Sequence, residues 1–94
     1  SNTITTGEYY QITLNGADNE GIVNVLSKYL TEKTINILDM KTHISNAPIS
    51  GAPLFNLMAI TTIPDNTDIS ETQSDLTHIA HKLGVDIIVT QSEN

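Results

Sequence analysis

Residues 15–23 read NGADNEGIV, a stretch dense in turn formers that separates a strand-like run from a helix-like run and is longer than a simple link requires. Asp18 or Asn19 suits the cap of a following helix, because a short side-chain oxygen accepts a backbone N–H bond there. Gly21, in the first turn, lets the main chain approach another group closely. The N–H groups of that turn and the positive end of the helix dipole together make a natural seat for a carboxylate. The plainer reading, with Asp18 only a cap and Gly21 only a packing glycine, stands beside it.

The remaining chemistry-bearing residues form no comparable group. His78 and His81 are spaced i, i+3, with Asp75 a turn earlier, but a zinc site needs three or four convergent ligands and no others are placed by spacing, so exposed helix-face histidines are expected. His43 has no neighbouring nucleophile, and Ser45 and Ser50 lack both an elbow motif and an oriented base. The acids Asp65, Asp68, Glu71 and Asp75 read as a solvated helix start that complements the dipole. Ser45 to Pro53 holds two prolines and a glycine, a shaped connection longer than a hairpin requires and open to reading as a partner contact.

The elements that must position these residues follow from periodicity. Tyr10, Ile12 and Leu14 alternate with polar residues as in a half-buried strand, and the same alternation divides Tyr9 and Tyr10 between surface and core. From Gly21 the spacing changes. Ile22, Val25, Leu26, Tyr29 and Leu30 form the stripe of an amphipathic helix that runs to Glu32 or Lys33. Ile35–Ile44 and Leu54–Ile63 are rich in β-branched residues, and Pro64 ends the second of them. Ser70 to Gln73 has the form of a capping box, and Thr72, Leu76, Ile79, Ala80 and Leu83 make a second stripe that stops at Gly84. Val85, Ile87 and Val89 give a last strand.

The resulting order, βαββαβ, predicts an α+β, ferredoxin-like sandwich: a four-stranded antiparallel sheet with strands one and three central and both helices on one face. One domain over residues 8–91, with tails at 1–7 and 92–94, is expected, Ser1 and Asn2 resembling a tag remnant. Strand two carries Leu38, Met40 and Ile44 on one parity after Ile35 and Ile37 on the other, and strand three carries Leu54, Met58 and Ile60 opposite Phe55, Leu57 and Ala59. Apolar side chains on both faces predict an uncovered patch and self-association.

Composition narrows the partners. At 94 residues with 38% hydrophobic content, the chain suits a single modest core. The formal net charge of −7, from 11 acidic and 4 basic residues, disfavours direct nucleic-acid binding. No apolar run approaches a membrane span. The absence of cysteine excludes disulfides and thiolate chemistry and fits a cytoplasmic setting.

GADNEGIV, the phrase KTINILDMKT after the first helix, and SGAPLFNLMAITTIP after a hairpin together resemble the ACT domain family of small ligand-sensing regulatory modules, over roughly residues 8 to 90. The stretch APISGAPLF resembles more particularly the glycine cleavage system transcriptional repressor branch, whose members are built of ACT domains without a DNA-binding module. The resemblance implies an amino acid held through its α-carboxylate and α-amine between the first loop and strand two of a neighbouring copy. Carried onto this chain, that implies Asp18, Asn19, Gly21 and Ile22 on the loop and Asn36 at the start of strand two. Glu20 stands where family members commonly have proline, so the preset φ at the helix start is absent.

The expectation is therefore a non-enzymatic regulatory domain without cofactor or metal, forming a homodimer, sensing a small amino acid such as glycine and acting through a regulatory protein partner. The alternative is a purely structural dimerisation module in which Glu20 marks a lapsed site. An acylphosphatase-like enzyme on the same fold fits poorly, because the first loop has no arginine and all 4 basic residues are lysines.

Overall fold

The computed structural model describes residues 7–17 and 21–92. Six elements follow in the expected order: β1 (Gly7–Ala17), α1 (Gly21–Glu32), β2 (Asn36–Asn46), β3 (Pro53–Pro64), α2 (Ile69–Leu83) and β4 (Val85–Gln91). They build one antiparallel sheet of order β2-β3-β1-β4, with β1 and β3 in the centre. Ile12 and Leu14 of β1 pair with Ala59 and Leu57 of β3, and this face carries the core. Ile22, Leu26 and Leu30 of α1 and Leu76 and Ala80 of α2 pack into the same cluster. Tyr10 joins it, while Tyr9 falls on the opposite face, as strand alternation requires.

Four local readings of the sequence need correction. The first concerns NGADNEGIV. β1 continues through Asn15, Gly16 and Ala17, so only residues 18–20 separate strand from helix. Asn15 and Gly16 pair with both β3 and β4, and ladder bonds on both sides override the turn propensity of the two residues.

The second concerns β2. Ile37 pairs with Thr61, but the next ladder partners are Asp39 and Ile60, so Leu38 is an extra residue in a β-bulge. A bulge resets the alternation. Met40 and Ile44 consequently lie opposite Ala59 and Phe55, on the helix side together with Ile37, while Asp39, Lys41 and His43 occupy the open face. The apolar parity expected on the open side of β2 is therefore absent. Of these two strands β3 alone supplies it, through the half-buried Leu54, Met58 and Ile60.

The third concerns α2. Its N-cap is Asp68, whose side chain accepts from the Ser70 N–H at 3.0 Å; Ser70 lies inside the helix. Asp68 and Glu71 have the same i, i+3 spacing as Ser70 and Gln73, and Asp is an equally good cap two residues earlier. Gly84, at φ 71°, closes the helix as expected, its N–H directed to Ala80 and His81 carbonyls.

The fourth concerns the connection between β2 and β3. Ser45 and Asn46 belong to β2 and Pro53 to β3, leaving a tight turn closed by Ala47 N–H to Ala52 O at 2.8 Å and Gly51 N–H to Ala47 O at 2.9 Å. Ile49 at its tip is 99% exposed.

α1 ends without glycine. Thr34 has φ 56°, the Thr34 N–H donates to Thr31 O at 3.0 Å, and the Ile35 N–H donates to Leu30 O at 2.9 Å. This is the Schellman closure, with the buried Ile35 completing the accompanying apolar contact. A β-branched residue is a poor occupant of left-handed backbone. Thr34→Gly is expected to stabilise the fold by roughly 1 kcal/mol through relief of that strain; a lowered midpoint in urea unfolding would show that the Thr34 side chain contributes more than its backbone loses.

Candidate functional site

The residues implied as a ligand site fall into two groups. Gly21 opens α1 and is half-buried, and Ile22 beside it is fully buried in the core, so the Ile22 side chain is committed to packing and only its backbone faces the helix start. Asp18 and Asn19 lie outside the described residues. Asn36, exposed, opens β2 and pairs with Thr62, whereas Ala17, at the loop end of β1, pairs with Leu54. These partners lie eight positions apart on β3, about 26 Å at strand rise. One copy cannot join the two groups. A second copy running antiparallel along β2 can, because it places the start of its β2 beside the loop end of the first. β2 is an edge strand, exposed over most of its length, with Ile37, Leu38 and Ile44 uncovered.

The other candidates are scattered. His78 and His81 lie on the exposed side of α2, where with Ser74, Thr77 and Lys82 they line a broad shallow depression. Among the described residues no three histidine, aspartate or glutamate side chains converge as metal ligands would. Asp75 is engaged differently: its Oδ2 accepts the Tyr29 hydroxyl proton at 2.7 Å, tying α2 to α1. Burial, and then the hydrogen bond to the Asp75 carboxylate, push the Tyr29 phenol well above its usual range. The Lys33 ammonium lies 6.0 Å from the centre of the same ring. No spacing rule exposes a pair 46 residues apart.

A feature that periodicity also leaves unseen lies on the open side of the sheet. Thr13, Asn15, Lys41, His43, Asn56 and Met58 line a hollow of about 290 Å³, with the Leu57 backbone beneath. Alternation marks each of these residues as outward-facing without indicating that they meet.

Solved structures resemble the whole arrangement. An unknown protein from Galdieria sulphuraria superposes with a TM-score of 0.84 at 26% identity, over 99% of this chain and 54% of that one. An ACT domain protein from Streptococcus pneumoniae superposes with a TM-score of 0.73 at 22% identity, over 90% of both chains. The fold is that of an ACT domain. The ACT fold also matches a formyltetrahydrofolate deformylase from Pseudomonas putida KT2440, with a TM-score of 0.73 at 20% identity, over 90% of this chain and 29% of that one. This chain thus spans about half of the Galdieria protein and under a third of the deformylase. No protein-family model and no curated protein matches the sequence. Among the described residues no helix of this ACT fold is long and apolar enough to cross a membrane.

Proposed function

We propose that the chain is a non-enzymatic regulatory domain of the ACT family that binds a small amino acid between the start of α1 in one copy and the start of β2 in a second. The observation that carries this reading is the division of the implied site between opposite ends of one sheet, each end beside an element open to a neighbour. Backbone N–H groups around Gly21 and Ile22 receive the carboxylate, and Asn36 of the second copy, with Asp18, meets the ammonium. Binding then bridges two chains, and a protein partner reads the change at the joined edge. The resemblance of the 47–55 stretch to the glycine cleavage repressor branch supports glycine as the first ligand to test. The cysteine-free composition supports a cytoplasmic setting.

Asn36→Ala is the cleanest test, because Asn36 lies outside both the core and the start of α1. Thermal shift with glycine and serine should show stabilisation of the wild-type chain by mass action and its loss in the variant, with unliganded stability changed by less than about 0.5 kcal/mol. Light scattering should show a dimer. If no proteinogenic amino acid stabilises the wild-type chain while the dimer persists, the structural-module reading replaces this one.

A further inference from the structure

The register of the ladders maps the open face of the sheet residue by residue. Reading from β2 through β3 and β1 to β4, one row is Lys41, Met58, Thr13 and Ile88, and the next is His43, Asn56, Asn15 and Asp86. Asparagine is depleted in strands because its side chain competes for backbone hydrogen bonds, yet Asn15 and Asn56 are direct cross-strand partners on the two central strands. Departures from local preference concentrate where a fold does something other than pack.

The polar groups around this pair are set in place and only partly engaged. Asn56 Nδ2 donates to Ser45 Oγ at 3.0 Å and to Leu54 O at 3.2 Å, which fixes the amide and leaves its oxygen as an acceptor. Thr13 Oγ accepts from Gln11 at 3.4 Å, which leaves its own proton to donate. Among the described residues Asn15 has no side-chain hydrogen bond and Lys41 has no ion pair. The chain has only 4 lysines against 11 acids, and one of them borders this hollow.

We propose that the open face holds a second binding site, separate from the one at α1 and β2, for a small carboxylate that also carries a hydrogen-bond donor. Lys41 and the Thr13 hydroxyl receive the carboxylate, and the fixed Asn56 oxygen receives the donor. Asn15 bridges the two, and Met58 supplies the apolar floor. Asp39 and Asp86 flank the site on β2 and β4, so the field is unfavourable to a doubly charged anion such as phosphate. The hollow of about 290 Å³ is at the small end of ligand sites. Hydroxy acids and amino acids share the required chemistry.

The test is a titration of the ¹⁵N-labelled chain with glycolate, glycine, acetate and inorganic phosphate in parallel, observing the side-chain amide signals of Asn15 and Asn56. Glycolate or glycine is expected to shift both signals with saturation, acetate to bind more weakly, and phosphate not to shift them; whichever of the first two binds tighter names the source. Lys41→Met should weaken binding at least about tenfold by removing the charged hydrogen bond, and Asn15→Ala should weaken it as well. Asn36→Ala should leave it unchanged, which separates this site from the one proposed above. Equal responses to all four probes, an unaltered affinity in Lys41→Met, or signals that respond only to protein concentration because a second copy covers the face would each overturn the proposal.

Discussion

Leu26→Ala is expected to lower the stability of the domain by about 2–5 kcal/mol. Leu26 is 0% exposed at the middle of the buried stripe of α1, flanked one turn on either side by Ile22 and Leu30, both also 0% exposed. Truncation leaves a cavity that cannot readily collapse, because the helix is held at both sides of the gap and the central strands β1 and β3 pair without interruption. A small domain has only about 5–15 kcal/mol of net stability, so the loss consumes a large share. Urea unfolding is the measurement: the midpoint should fall while the slope with denaturant stays constant, because the surface exposed on unfolding is nearly unchanged. An unchanged midpoint would mean that α1 is not docked on the sheet as described.

Gly16→Ala should be the most damaging of the small-to-large substitutions, although Gly16 does not occupy left-handed backbone. A Cβ built there would lie 2.7 Å from the Val85 Cβ and 3.1 Å from its Cα. Val85 is itself buried and is the first residue of β4, immediately after the Gly84 closure of α2, so it has little room to withdraw. The expected destabilisation is about 1–3 kcal/mol, with amide exchange accelerated first along β4. Gly51→Ala is the instructive control. Nothing lies within 4 Å of its added Cβ, but φ is +71°, so any loss there is backbone strain. Equal effects at the two sites would show that space at Gly16 is not the determinant.

These two positions also show what could be read from the chain alone. The stripe containing Leu26 and the alternation of Ile12 and Leu14 announce themselves through period, because burial on one face imposes it. Element order and the central place of β1 and β3 then follow from topology. Gly16 is less legible: beside Asn15 it resembles a turn, and pairing with Phe55 of β3 on one side and Val85 of β4, 69 positions later, on the other makes it a strand residue. The same holds for Asn56 and Asn15, which alternation identifies as outward but not as partners. Asp68 reads from the chain as an acid at a solvated helix start, but Asp68–Glu71 and Ser70–Gln73 share one cap spacing, and only the helical backbone beginning at Ile69 tells them apart. The implied amino-acid site divides likewise. Gly21 and Asn36 are legible as positions in familiar phrases, and the βαββαβ order already sends them to opposite ends of the sheet; the distance of about 26 Å between those ends follows from the register.

Leu38 bears on how the chain tolerates change in length. Because the ladder passes from Ile37 and Thr61 to Asp39 and Ile60 without a partner for Leu38, removing that residue would join two segments already in phase. Every later side chain of β2 would keep its face. Inserting one more residue between Asn36 and Met40 would instead turn Met40 outward and Lys41 inward, since a shift of one position exchanges the two sides of a strand. The edge of this sheet can therefore lose one residue at a single place without changing what either side presents, and the half-exposed leucine marks that place.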